Sequence, residues 1–365
     1  MATIKPFRGF RPSGHAEKIA CPPYDVLNSA EARQMAQGNP YSFLHVDKPE
    51  IDLPEETDLY APEVYQKAKE NLENFIQTGV LKQDEKPCFY LYAQTMDGRT
   101  QYGLVAAASC EEYDKGIVRK HELTRKDKED DRTRHVAALS ATTGPVFLAY
   151  PQREEINAKI AEIAAEFPTY DFTAQDGIKH TLWVIDAPQD IKFLMDAFEK
   201  IPTLYIADGH HRSAAAANVA RQRREHNPKH TGQENYNFFL SVIFPAQQLY
   251  VMDYNRLVKD LNGLSEEAFL KKIADKFDVA ETGREKPQKR HEFGMYLNGK
   301  WYTLTAKKGS FDEADPVAAL DVSILQENLL GPVLGIGDPR TDKRIDFVGG
   351  IRGIGELKKR VDGGA

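Results

Sequence analysis

Thr203-Leu204-Tyr205-Ile206-Ala207-Asp208-Gly209-His210-His211-Arg212, followed by Ser213-Ala214-Ala215-Ala216-Ala217, sets the local architecture around which the rest of the chain is read. The run from Thr203 to Ile206 is short, apolar and bounded by Pro202 and Gly209, the pattern of a buried strand. From Ser213 to Arg224 alanine and arginine dominate, and both are strong helix formers. Strand, tight glycine turn and helix therefore follow one another directly. Gly209 lets backbone approach a ligand closely, and the helix beyond it presents N–H groups and the positive end of its dipole. Asp208 to Arg212 thus reads as a phosphate-sized anion site.

Arg212 brings a planar fork suited to phosphate, while His210 and His211 can each donate a hydrogen bond or move a proton near neutral pH. The alternative is structural: Asp208 caps the helix and the histidines are packed or solvated. Capping does not account for two histidines and an arginine in the first turn, where positive charge opposes the dipole by about 0.3–1 kcal/mol. Metal ligation by the pair is disfavoured, because adjacent helical positions point about 100° apart.

Outward from this turn, Arg119 to His135 is the most charged stretch, with seven Lys or Arg and five Asp or Glu. Its charge predicts a solvated surface segment rather than core. Within it His121-Glu122-Leu123-Thr124 begins like a zinc-protease helix, but Arg125 stands where the second histidine is required. Glu122 remains a candidate general base, with Lys120, Arg125, Lys126 and Lys128 as charge for a phosphorylated ligand. Asp25, after Pro22-Pro23-Tyr24, is either a turn former or a site residue. Tyr254-Asn255-Arg256 poses the same choice. Gly349, Gly350, Gly353 and Gly355 match a dinucleotide fingerprint in neither order nor following length, and read as a turn.

Helical spacing runs from Ala61 to Gln77, Glu154 to Phe167 and Glu266 to Phe277. Strand patterns occupy Cys88–Gln94, Gln101–Ser109, Thr181–Ile185, Phe238–Phe244, Leu249–Asp253 and Ile345–Val348. Asn298-Gly299 between two such runs predicts a two-residue hairpin. The 365 residues exceed what one core holds, so two packed units, or one domain with a large insert, are expected.

Hydrophobic residues at 41% and charged residues at 28% are ordinary globular usage. The net charge of −7 gives no global pull toward nucleic acid or an anionic membrane. Cys21, Cys88 and Cys110 lie far apart with no paired zinc spacing, and Met1 to Phe10 lacks the apolar run of a secretory signal. A cytoplasmic location is the expectation, with no membrane partner, nucleic acid disfavoured and a homo-oligomer open.

Taken in order, Pro22-Pro23-Tyr24-Asp25-Val26, Lys120-His121-Glu122-Leu123-Thr124, Asp131-Arg132, Ile206-Ala207-Asp208-Gly209-His210-His211-Arg212 and Tyr254-Asn255-Arg256 resemble the bacterial and archaeal family catalogued as domain of unknown function 1015. The Asp-Gly-His-His-Arg element is also similar to the phosphate-binding turn of the ParB and sulfiredoxin superfamily, which includes kinases of free serine. That resemblance implies a mixed α/β, or α+β, fold. Its ParB/sulfiredoxin-like core would span 1–240 with an inserted α/β region near 55–200, and a C-terminal α+β region would follow over 241–365. It further implies a nucleotide or phosphate-ester site, with nucleotide or pyrophosphate plus Mg as cofactor. His210, His211 and Arg212 would hold phosphate oxygens, aided by Lys120 and Arg125. Glu122 or Asp25 would act as base, with His121 and His210 in the catalytic set. Family members run on past the last helix into a segment rich in Pro, Lys, Ser and Thr, whereas this chain stops at Ala365.

The leading functional expectation is a kinase or phosphatase acting on serine or phosphoserine. One alternative is a nucleotide-dependent, nucleic-acid-associated switch, suggested by Arg221, Arg223 and Arg224 on the helix. The other is a non-catalytic sensor of a phosphorylated metabolite.

Overall fold

The computed structural model describes residues 1–121, 124–339 and 341–364. Contacts divide the chain into two compact units, Met1–Leu249 and Tyr250–Ala365. Both are mixed α+β, the class expected from the alternation of helix and strand patterns. Among the described residues no helix is long and apolar enough to cross a membrane.

The first unit is built on a mixed nine-stranded sheet. Its strands are β1 (Ile4–Lys5), β2 (Phe89–Met96), β3 (Arg99–Ser109), β4 (Val118–Arg119), β5 (Val146–Tyr150), β6 (Tyr170–Thr173), β7 (Lys179–Ile185), β8 (Leu204–Asp208) and β9 (Phe238–Pro245). They lie in the order β4-β8-β5-β9-β3-β2-β7-β6, with β1 paired to β3. Asp97 and Gly98, both at positive φ, close the expected hairpin between β2 and β3. Strand β9 belongs to the first unit through its ladders with β3 and β5.

Burial follows strand alternation and helix faces. Phe89, Leu91, Leu104, Ala106, Leu148, Tyr150, Ile206 and Phe239 form one core with Ile156, Ile160, Leu194 and Phe198 from α3 (Glu154–Ala164) and α4 (Pro188–Glu199). The alanine run of α5 (His210–Glu225) closes the same core through Ala214, Ala216, Ala217 and Ala220. Small side chains let this helix sit close to the sheet, which fixes the β8 to α5 turn. A smaller cluster joins Ala68, Leu72 and Phe75 of α1 (Pro62–Gln77) to Val46 and Leu139.

Two expectations need correction. The charged stretch is not wholly solvated, because Lys126–Leu139 forms helix α2 and buries Asp131, Thr133 and His135. Each buried group has a partner: Asp131 has Arg132, Thr133 donates to the Glu129 carbonyl, and the His135 ring meets the Val46 carbonyl. Burial pushes the His135 imidazole down to about 4, so it is neutral. The segment Leu249–Asp253 is not a strand; pairing begins at Tyr254.

In the second unit β10 (Tyr254–Val258) pairs with β14 (Ile345–Gly349), and β13 (Lys300–Ala306) pairs with β11 (Phe277–Glu281) and β12 (Glu292–Leu297). Asn298 and Gly299, again both at positive φ, make the β12 to β13 turn. Helix α6 spans Glu266–Ile273, shorter than expected, because Phe277 opens strand β11. Phe269, Ile273, Phe277, Leu304 and Ile324 are the centre of this unit's core.

Two predictions come from the first unit. A Cβ on Gly103 would stand 2.6 Å from Phe244 Cζ and 2.7 Å from Val242 Cγ2 of the adjacent strand. Gly103→Ala is expected to cost about 1–3 kcal/mol in urea unfolding through overpacking. His45 Nδ1 lies 2.8 Å from Asp52 Oδ1 and its Nε2 lies 3.2 Å from the Asn39 carbonyl. Both neighbours are acceptors, so the ring is held as imidazolium, and the hydrogen bond to Asp52 raises its pKa. The stabilisation is complete below the ordinary histidine value of about 6.5 and is lost as pH rises through the higher folded value. The Tm advantage of the parent over His45→Gln should therefore shrink between pH 6 and pH 8; an advantage that grows with pH would contradict it.

Candidate functional site

Gly209 makes the turn between β8 and α5 at φ 96°, ψ 32°, a conformation that disfavours any side chain. As the N-cap residue, Gly209 has no side chain with which to cap the helix that follows, and the first turn of that helix contains no acidic residue. Asp208 does not act as the N-cap. Its carboxylate instead reaches the Arg212 guanidinium one turn along.

Arg212 is mostly enclosed, its side chain only 10% exposed. Built Cβ atoms would lie 3.1 Å from its Cδ at Gly144 and 3.2 Å from its Cζ at Gly209, so two glycines leave the slot it fills. Nη1 donates to the Pro145 carbonyl, Nη2 pairs with Asp208, and Asp25 Oδ2 lies 3.7 Å from Nη2. Nε is buried with no hydrogen-bond partner among the described residues. The fork read from the sequence as suited to phosphate is therefore largely engaged by the protein itself.

The two histidines face the charged segment. His210 is buried, its ring edge-on to that of His121 with centroids 4.3 Å apart, and its Nε2 accepts the His121 N–H at 3.4 Å. His211 Nε2 accepts the Arg125 N–H at 3.0 Å. An imidazole nitrogen that accepts from an amide carries no proton, so each ring presents a bare Nε2 to this segment. Glu129 braces the same segment: it accepts from the Thr124 hydroxyl and, at 2.7 Å, from Asn218 of α5. Hydrogen bonds from both partners lower its pKa against the penalty of burial, the largest single influence.

The remaining predicted residues divide. Lys120 Nζ lies 4.0 Å from the Tyr113 ring centroid, and the Arg125 guanidinium pairs with Asp127 at 2.9 Å. Glu122 lies outside the described residues. Asp25, in the turn Tyr24–Val26, comes to Arg212 from a distant part of the sequence. The helix arginines of the nucleic-acid alternative hold acceptors of this chain: Arg221 meets Asp114 and Asn218, Arg223 meets Ser140, and Arg224 meets Asn237.

Around Arg212 the fold assembles a second layer that the sequence left unassigned. The Arg132 guanidinium pairs with Asp131 at 2.8 Å and lies over the Tyr24 ring at 4.2 Å. Tyr65 donates to the other Asp131 oxygen at 2.9 Å. Burial pushes the Tyr24 phenol up to about 12, so it stays protonated. Asp47 is buried and accepts from Thr143 at 2.5 Å. Burial raises its pKa, while Thr143 and the charges of Arg132 and Arg212 act the other way. A carboxylate in the apolar stretch Phe43-Leu44-His45-Val46-Asp47 was the available signal. Among the described residues no group of three or more His, Cys, Asp or Glu is placed to hold a metal.

Fold and site together define a mixed α+β protein with a strand–glycine–helix turn backed by buried arginine–carboxylate pairs. The family model described as protein of unknown function (DUF1015) matches residues 4–323, and the chain belongs to that family. Comparison with curated proteins and with solved structures gave no match.

Replacing Arg132 by Met would strand Asp131, whose side chain is 11% exposed. Breaking such a pair costs about 3–5 kcal/mol. Urea unfolding should show a loss of that order for Arg132→Met, and the double variant with Asp131→Asn should recover part of it.

Proposed function

We propose that this protein is a small-molecule phosphate-transfer enzyme, a kinase or phosphatase for serine or phosphoserine, acting at the N-terminus of α5. The observation that carries the reading is the helix start itself: a glycine N-cap at φ 96°, followed by a first turn that holds His210, His211 and Arg212 and no acidic residue. Such a terminus favours an anion through its dipole and its amides. The serine class rests on the similarity of the Asp-Gly-His-His-Arg turn to that of free-serine kinases.

In this scheme the phosphoryl group sits against the first turn, and Arg212 lends positive charge from its slot between Gly144 and Gly209. Asp25, 44% exposed at its side chain, takes the proton from the attacking hydroxyl or water. The new O–P bond forms as the bond to the leaving oxygen breaks, and the electron pair departs with that oxygen. Nucleotide or pyrophosphate is the donor for the kinase direction. A Mg ion fits only as part of the phosphate ligand, through phosphate oxygens, waters and at most one or two carboxylates. Its contribution when bound is to neutralise charge on the phosphates. The nucleic-acid alternative is disfavoured by the net charge of −7, and of its three arginines Arg221 is ion-paired with Asp114.

The test is a thermal-shift and turnover panel with ADP, ATP, pyrophosphate, serine and phosphoserine. Phosphate compounds should raise the Tm of the parent. Asp25→Asn should keep the shift and lose turnover by about 10²–10⁴-fold, whereas Arg212→Ala should weaken the shift. A parent protein that no phosphate compound stabilises would sink the proposal; stabilisation without turnover would point to the sensor.

A further inference from the structure

Tyr254-Asn255-Arg256 takes no part in the scheme above and belongs to the second unit. In β10 the side chains of Tyr254 and Arg256 fall on one face of the ribbon, and Asn255 on the other. The register sets Arg256 opposite Phe347 of β14. The Tyr254 and Phe347 rings stack nearly parallel, 11° apart with centroids at 5.1 Å, and the Arg256 guanidinium lies 5.3 and 5.5 Å from them. Tyr254 nevertheless stays 57% exposed.

Arg256 differs from the other enclosed arginines of this chain. Arg11 has Asp84, Arg132 has Asp131 and Arg212 has Asp208. Among the described residues Arg256 has no ion pair, and it donates from Nη1 to the Tyr254 carbonyl. Burial lowers its pKa, with only the Tyr254 hydroxyl opposing. A partly desolvated cation without a counter-charge is costly unless an anion completes it. Beside it, a tyrosine backed by a second ring offers a π surface of the kind on which bases stack.

We propose that Tyr254, Phe347 and Arg256 form a recognition face for a nucleotide, which stacks its base on the Tyr254 ring and sets a phosphate against Arg256. A nucleotide supplies both features this face needs in one molecule, a flat aromatic system and an adjacent anion. The chain's net charge of −7 favours a mononucleotide over a polymer. The assignment is independent of the phosphate scheme at α5.

Saturation-transfer NMR and calorimetry on the full chain, with ADP, adenosine and inorganic phosphate, test it. ADP should show adenine proton signals, and adenosine should bind more weakly than ADP. Tyr254→Leu and Arg256→Gln should each weaken ADP by about tenfold, while Tyr254→Phe, which keeps the ring, should restore the affinity. Arg212→Ala should leave the adenine signals in place. Absent adenine signals in the parent, or ADP affinity unchanged in both Tyr254→Leu and Arg256→Gln, would overturn the assignment. ADP binding lost only in Arg212→Ala would also overturn it and leave the α5 site standing. Adenine signals without any binding of inorganic phosphate would support this face and count against the α5 scheme.

Discussion

The guanidinium of Arg212, held in a slot between two glycines, ties together the segments on which the site depends. Gly144 and Gly209 leave the space, the Pro145 carbonyl and Asp208 accept from two of its nitrogens, and Asp25 approaches from the N-terminal region. Three chain segments far apart in sequence thus converge on one cation. A mostly buried arginine needs compensation for its lost hydration, and these acceptors supply it. Because Asp208 is drawn to Arg212, it is not available to cap α5. The helix start falls instead on Gly209, which has no side chain with which to cap it.

The same logic extends outward through charge pairs. Arg132 repeats the arrangement with Asp131, Tyr65 and Tyr24, and Asp47 lies buried within reach of both guanidinium charges. Paired in this way, a helix as charged as Lys126–Leu139 can bury three of its polar residues without orphaning them. The segment before it is fastened to α5 by amides donating to two imidazoles and by Glu129 bridging Thr124 and Asn218. Through Nε2 the histidines that suggested proton chemistry also serve as hydrogen-bond acceptors for the segment beside them.

Much of the fold was legible wherever one local rule dominated. The β8 to α5 turn was readable because apolar run, glycine and alanine-rich helix stand in immediate succession. The Asp97-Gly98 and Asn298-Gly299 hairpins were readable because few residues tolerate positive φ. Local rules failed where a distant partner decided the outcome. Leu249–Asp253 is apolar enough for a strand, yet pairing starts only at Tyr254, opposite Gly349. Asp131 and His135 looked too polar to bury, and their partners, Arg132, Tyr65 and the Val46 carbonyl, came into view only with the fold.

By itself the sequence determined the mixed helix and strand class, the glycine turn, the two Asx-Gly hairpins and the grouping of motifs that marks the family. These are properties of backbone propensity and short-range periodicity, set within a few residues. Tertiary structure alone decided that Asp25, Asp208 and Pro145 share one arginine, that Asp47 is buried, and that Arg256 lies against two aromatic rings with no carboxylate paired to it among the described residues. Charge compensation acts through space over a few ångströms, and which charges meet there depends on how the whole chain packs.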